Sequence, residues 1–237
     1  MLETRFPRIP GDTGNALTWP FPVLYKVVPG ASPHRVVCER SAGLLDAFLD
    51  AAAELVRLGA DGITTTCGFL SPFQRGIAAH IGVPVATSSL MQIPLIERIL
   101  PPGKRVGVLT ISAANLGHEY LVAAGAGPDT PVVGVDPAGE FSRVILNDEE
   151  RLDAAAAERD ILNAGDALVA AHRDTGAVLL ECTNMVPYAR ALSTRLRLPV
   201  FSIYSFVTWF QSGLLPRDFG APGSGRQHGT IGANSPK

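Results

Sequence analysis

No stretch of this chain stays apolar for anything near the ~20 residues that a bilayer-crossing helix needs, so the sequence predicts no membrane span. The opening M-L-E-T-R-F-P-R-I-P-G-D lacks the apolar core of a secretory signal, and export is not expected. Cysteine is scarce: Cys38, Cys67 and Cys182 are an odd set, and none lies in a C-x-x-C or at metal-ligand spacing with histidine. That excludes a disulfide framework and gives no metal site, and free thiols without an export signal point to the cytoplasm. Charge is also sparse, at 18% of residues with a formal net charge of −2, which gives no bulk attraction to nucleic acid or to an anionic membrane. What is present is 237 residues with 46% apolar content, enough to bury a substantial core as one large domain or two lobes.

Two of the three cysteines stand at matching places in two copies of one pattern. D-G-I-T-T-T-C-G-F-L-S-P-F around Cys67 parallels G-A-V-L-L-E-C-T-N-M-V-P-Y around Cys182. Counting from each cysteine, proline falls at +5 (Pro72, Pro187) and an aromatic at +6 (Phe73, Tyr188). Proline recurs at +17 (Pro84, Pro199), valine at +18 (Val85, Val200) and a hydroxyl at +20 (Thr87, Ser202). Repetition of this kind predicts two similar halves, each placing one thiol at the same structural position.

The periodicity predicts short apolar strands alternating with helices. Residues 7–33 read as a first strand, a polar turn at G-D-T-G-N and a long loop. Residues 41–58 form the clearest helix, with Leu44, Leu45, Phe48, Leu49, Ala52, Leu55 and Val56 on one face and Gly59 at its C-terminal cap. Strands follow at 62–66, 83–86, 105–110, 132–135, 177–180 and 199–203. Helices are predicted at 72–80, at 91–100 with a break at Pro94, after Ser112 as N-cap, at 147–172 from an Asn147/Glu150 capping box, and at 187–196. The pattern gives an α/β fold with parallel sheets and helices on both faces, whose ligands bind at the carboxyl ends of the strands. Both repeat cysteines fall there. The expected division is a first lobe at 1–103, a second at 104–219 with the C-terminal segment free to cross back, and a mobile tail at 220–237.

One cysteine is most simply a small core residue, and Cys38 is read that way. A pair at equivalent strand-to-helix turns asks for more. Backbone N–H groups at such turns favour a thiolate, and the position is expected to lower the thiol pKa from ~8.5 toward neutrality. Two opposed thiols suit abstraction of a proton α to a carboxylate without a cofactor, with one group taking a proton on one face and the other returning one on the opposite face. Thr66, Gly68, Thr183 and Asn184 offer hydrogen bonds and close backbone approach beside them.

These motifs resemble the aspartate/glutamate racemase superfamily, which includes hydantoin racemases, maleate isomerases and arylmalonate decarboxylases. The resemblance rests on G-D-T-G-N at 11–15, T-T-T-C-G-F at 64–69 and E-C-T-N-M at 181–185. It implies two lobes related by a pseudo-two-fold axis around a shared cleft, Cys67 and Cys182 as opposed bases, Asp12 and Thr13 assisting or holding substrate, and Thr183 contacting a carboxylate. It also implies a homodimer or higher homo-oligomer. Gly68-Phe69 stands where amino-acid racemases carry Asn-Thr, Asn184 stands where glutamate racemases carry His, and both cysteines are kept where arylmalonate decarboxylases keep one. A closer similarity is to the algal dimethylsulfoniopropionate lyase branch, carried by T-C-G-F-L at 66–70, S-S-L-x-Q-I-P at 88–94, L-L-E-C-T at 179–183 and F-P-V-L-Y-K-V-V-P-G at 21–30. The resemblance puts racemisation or epimerisation of a small carboxylate first. β-Elimination or cis–trans isomerisation follows, and a non-catalytic acid-binding protein is the remaining reading.

Further candidates are Tyr25 and Lys26, either a loop that closes over the cleft and neutralises a carboxylate or a solvated lysine beside a packing tyrosine, and Ser88, which either lines the site or caps the next helix. Phe69 joins the cleft set, while Phe73 and Tyr188 read as packing. Glu181 precedes Cys182 on a strand, so alternation points its side chain away from the thiol. That makes it either a structural carboxylate, the reading preferred, or a supporting group behind the residues that touch substrate.

Overall fold

The computed structural model describes residues 1–220, so nearly all of the expected tail lies outside the described residues. The N-terminal segment forms no strand; Leu2 makes a single parallel bridge to Val28. Helix α1 (Pro33–Val37) is capped by the Ser32 hydroxyl. Helix α2 (Leu45–Arg57) begins later than its apolar face suggests, because Arg40, Ser41 and Gly43 all take positive φ and turn the chain just before it. Strand β1 (Ile63–Thr64), helix α3 (Gln74–His80), strand β2 (Val85–Ala86) and helix α4 (Ile93–Ile99) follow. Pro94 sits in the first turn of α4, where its missing N–H costs nothing, rather than breaking it.

Strand β3 (Arg105–Thr110) leads to α5 (His118–Ala123), β4 (Val132–Gly134) and α6 (Glu140–Leu146). Ser112 does not cap α5, whose N-cap is Gly117; its hydroxyl instead accepts from Asn115. The helix expected over 147–172 is shorter, and the Asn147/Glu150 capping box does not form, because Asn147 is the C-cap of α6. Asp148 takes a left-handed φ of 54°, and α7 (Ala154–Ala171) starts afresh with the Asp153 carboxylate accepting from the N–H groups of Ala155 and Ala156. Strand β5 (Thr175–Leu180), α8 (Ala189–Leu196), β6 (Val200–Phe201) and α9 (Ile203–Leu214) complete the chain, α9 being a helix that the apolar pattern left unassigned. No helix of the described residues is long and apolar enough to cross a membrane.

All strand pairs are parallel: β1 with β2 in one sheet, and β4-β3-β5-β6 in the other. Val106, Val108, Leu109 and the whole of Ala177–Leu180 are fully buried, as a parallel sheet covered on both faces requires. Helix α7 lies so close over β3 that a Cβ at Gly107 would sit 2.8 Å from Leu168 Cδ2. The sequence repeat is a structural repeat. β1, a 3-10 turn (Gly68–Phe73), α3 and β2 match β5, a 3-10 turn (Thr183–Tyr188), α8 and β6. The register is the same too: Ile63 pairs with Val85 and Val178 with Val200, each four residues before and eighteen after its cysteine. Helix α9 returns to the first repeat, packing Phe206 and Val207 in a cluster with Trp19 and Ala86. Phe210 and Leu214 occupy the space where a side chain at Gly62 would stand.

Candidate active site

Cys67 and Cys182 each form the extended N-cap of their 3-10 turn, at the carboxyl end of the strand before it. The turns bring both sulfurs to one cleft, with Arg8, Phe69, Glu181 and Asn184 in its walls. The cleft is nearly shut, leaving about 20 Å³ in which the centre of a water molecule fits, room for one or two waters.

A chain of polar contacts ties the walls together. Asp12 is buried, and its Oδ1 accepts from Arg8 Nη1 at 2.9 Å and from the Gly14 N–H at 2.7 Å. Asp12 Oδ2 accepts from Asn184 Nδ2, and Asn184 Oδ1 in turn accepts from the Cys182 thiol at 3.5 Å. Thr183 donates its hydroxyl to the Thr66 carbonyl at 2.8 Å, and Thr66 Oγ1 accepts from the Leu2 N–H at 3.2 Å. Asp12, Thr66, Gly68, Phe69, Thr183 and Asn184 are thus gathered around the two thiols. Phe69 is packed edge-on against Tyr120, with 5.2 Å between ring centroids.

The remaining candidates are placed elsewhere. Thr13 is buried, its carbonyl accepting from Trp19 Nε1 at 3.1 Å and Tyr25 Oη at 2.9 Å, while its own hydroxyl has no partner. Tyr25 therefore braces the 13–25 loop. Lys26 pairs with Glu54 at 2.6 Å, and its side chain does not reach the cleft. Ser88 takes the capping alternative, accepting from the Leu90 N–H at 3.2 Å.

Two wall residues are not placed in the cleft by the sequence: Arg8 carries no role there, and alternation points Glu181 away from the thiol. Arg8 is mostly buried and supplies the cation beside Asp12. A four-residue spacing to Asp12 was visible, but in a segment with no helix to give that spacing meaning. Glu181 is fully buried and lines the cleft, contrary to the strand-alternation argument. Strand β5 ends at Leu180, so alternation no longer governs Glu181, although its N–H still bonds the Leu109 carbonyl at 2.8 Å. Its Oε2 accepts from Thr110 Oγ1 at 2.7 Å, while Oε1 is buried with no hydrogen-bond partner. Gly68 is glycine for this reason: a Cβ there would lie 2.3 Å from Glu181 Oε1 and 2.7 Å from the Glu181 carbonyl oxygen.

Burial and charge oppose the expectation of activated thiols. Burial pushes Cys67 up, the Glu181 carboxylate adds to it, and the Phe69 N–H and Arg8 pull back only in part. Cys182 is likewise raised by burial, then by Glu181 and Cys67, against the Asn184 N–H. The six-residue turns do supply N–H groups, but desolvation of the thiolate outweighs them. Burial also lifts Glu181 to about 7, against the favourable Thr110 hydroxyl and nearby N–H groups of Phe69, Gly68 and Ile111. In the closed cleft at neutral pH both sulfurs carry their protons, and an incoming ligand must favour the thiolate. No cluster of three or more metal-ligating side chains occurs among the described residues.

The profile of the Asp/Glu/hydantoin racemase family matches residues 39–209, a span that contains both cysteine repeats. The chain belongs to the Asp/Glu/hydantoin racemase family. Within the curated relatives of this racemase-family chain is a dimethylsulfoniopropionate lyase of Durusdinium sp. clade D, 27% identical over 95% of this chain and 79% of that protein. Another is dimethylsulfoniopropionate lyase 3 of Emiliania huxleyi, 29% identical over 84% of this chain and 55% of that protein. The chain therefore spans little more than half of some relatives it matches. Among solved structures, a variant of arylmalonate decarboxylase superposes with a TM-score of 0.60 over 90% of each chain at 17% identity, which establishes the shared α/β fold of the family.

Proposed function

We propose that the chain is a cofactor-independent enzyme that uses Cys67 and Cys182 to remove a proton α to a carboxylate, and that it completes the reaction as a β-elimination lyase. The observation that carries the reading is the convergence of two thiols, from turns of identical register, on one cleft. Elimination is placed ahead of the racemisation expected from sequence because the curated relatives that align with most of this chain are named dimethylsulfoniopropionate lyases.

In this reaction a thiolate takes the α-proton of the substrate, the electron pair forms the Cα–Cβ double bond, and the Cβ–S bond breaks. Dimethylsulfoniopropionate would give acrylate, neutral dimethyl sulfide and a protonated thiol. A sulfonium group suits this cleft, since a substrate cation beside two raised thiols and Glu181 offsets the cost of forming the thiolate. The substrate carboxylate would meet Arg8 and the N–H groups of the two 3-10 turns. The reducing cytoplasm that the free thiols suggest would keep the pair active.

Racemisation is the second reading, favoured by the matched pair itself, since inversion uses one group per face whereas elimination uses one base. Proton NMR in deuterium oxide separates them. Parent, Cys67→Ser and Cys182→Ser proteins are incubated with dimethylsulfoniopropionate, aspartate, glutamate, hydantoins and maleate. Vinyl signals that vanish in a cysteine variant support elimination; α-deuteration without mass loss supports racemisation; no thiol-dependent change on any of these acids overturns the reading.

A further inference from the structure

Glu181 is the one fully buried carboxyl in the cleft wall, and beyond facing the substrate cation it has no part in the proton abstraction above. Its setting is built from several directions. Thr110, at the end of β3, donates to Oε2 at 2.7 Å. The Leu109 carbonyl holds its N–H at 2.8 Å, and Ser89 Oγ, from the turn before α4, donates to its carbonyl at 3.3 Å. The absent side chain at Gly68 leaves the space that Oε1 fills, directly after Cys67 in the chain. The carboxyl is pinned closely and has the N–H groups of Phe69, Gly68 and Ile111 nearby, yet Oε1 makes no hydrogen bond of good geometry, a costly arrangement if structure alone is served.

We propose that Glu181 is a positioning residue that sets the protonation state of Cys67, its charge deciding whether the neighbouring thiol can ionise. The proposal deepens the two-thiol reading, but it concerns the thiol itself and is tested without any substrate. With Glu181 ionised, a thiolate at Cys67 would place two negative charges in one dry wall, and the thiol keeps its proton. With Glu181 neutral, that opposition is gone. The two groups therefore titrate as a pair, in which the first proton to leave suppresses loss of the second. Other charged or titratable groups facing the pair are Arg8 and Asp12 from the N-terminal segment, Cys182 from the second turn and Tyr120 from α5, the last also under the influence of Arg40 and Glu119. Arg8 is already engaged by Asp12 and does not neutralise Glu181.

The test is the pH profile of Cys67 alkylation by iodoacetamide from pH 5.5 to 9.5, followed by peptide mass spectrometry, with exposed Cys38 as the internal reference. Glu181→Gln keeps the shape and removes the charge. Its Cys67 profile is expected to move to lower pH by one unit or more, roughly tenfold faster labelling at pH 8, with Cys38 unchanged. Thr110→Val withdraws the donor that favours the charged carboxyl and is expected to shift the profile in the same direction by less. A Glu181→Gln protein with parental circular dichroism and Cys67 labelling within twofold of the parent at every pH overturns the proposal. Should Glu181→Gln fail to fold, an unshifted profile in Thr110→Val overturns it instead.

Discussion

Thr183, the residue after one repeat cysteine, donates its hydroxyl to the carbonyl of Thr66, the residue before the other, at 2.8 Å. Both residues are buried, and the bond joins the two turns on which the thiols sit. It also commits the single hydroxyl proton of Thr183, so the expected contact from that hydroxyl to a substrate carboxylate would break the clasp. Thr183→Val is expected to leave the Thr66 carbonyl unpaired and to lower unfolding free energy by about 1–3 kcal/mol in urea titration, with Thr183→Ser retaining most of the parental value. A valine variant as stable as the parent would show that the bond is dispensable.

Gly68→Ala places a methyl 2.3 Å from Glu181 Oε1. Overpacking of this kind costs about 1–3 kcal/mol and displaces Cys67 with it. Combining it with Glu181→Ser is expected to recover part of that cost, because the side-chain clash goes while the approach to the Glu181 carbonyl at 2.7 Å stays. A double-mutant cycle by thermal unfolding reads the coupling, and strict additivity would contradict the packing described.

Glu181 also gives stability a pH dependence. Its pKa is raised from 4.5 to about 7 in the folded protein by burial, so between those values the folded state binds more protons than the unfolded state. The contribution is fully present below about pH 4.5 and is lost as pH rises through about 7, a change of about 3 kcal/mol for this one group. Relative to the parent, Glu181→Gln should therefore gain stability progressively from pH 5 to pH 8 in denaturant titrations. A constant difference across that range would mean that Glu181 titrates normally.

Arg8 is the charge partner of a carboxylate that is otherwise sealed in protein. Arg8→Gln leaves Asp12 with neutral donors alone and is expected to cost about 3 kcal/mol, whereas Arg8→Gln with Asp12→Asn should cost less than the single change. Calorimetry on the two variants distinguishes a true pair from two independent polar residues, for which the double variant would be the less stable.

The parts of this molecule that were legible in its sequence are those fixed by local rules. The cysteine repeat foretold equivalent turns, because proline and apolar positions at matched offsets constrain the same strand–turn–helix path, and the structure adds that the strand register is shared as well. The α/β class followed from apolar strands alternating with helices. Boundaries governed by backbone torsion were not legible: nothing in D-E-E announces that Asp148 turns left-handed and that Asp153 begins the long helix. The cysteines and most of their hydrogen-bonding neighbours could be named from the motif. Glu181 could be named but was pointed the wrong way, because strand alternation stops one residue before it, and Arg8 was missed, because its partner is set by a loop. The raised thiols escaped for a related reason. Turn N–H groups can be read from local sequence, while the depth of burial that overrides them is a property of the assembled walls.

The return of α9 to the first repeat bears on how the chain can be cut and joined. Phe210 and Leu214 fill the place beside Gly62, and Phe206 and Val207 share a cluster with Trp19 and Ala86. A gene split at the 101–104 turn would deliver two fragments, the first lacking the helix that covers its own β1 and β2, the second carrying that helix with nothing to cover. Such fragments would be expected to recover the fold only when produced together. A rearranged chain that places residues 203–214 ahead of residue 1 would instead make the first repeat a self-sufficient unit.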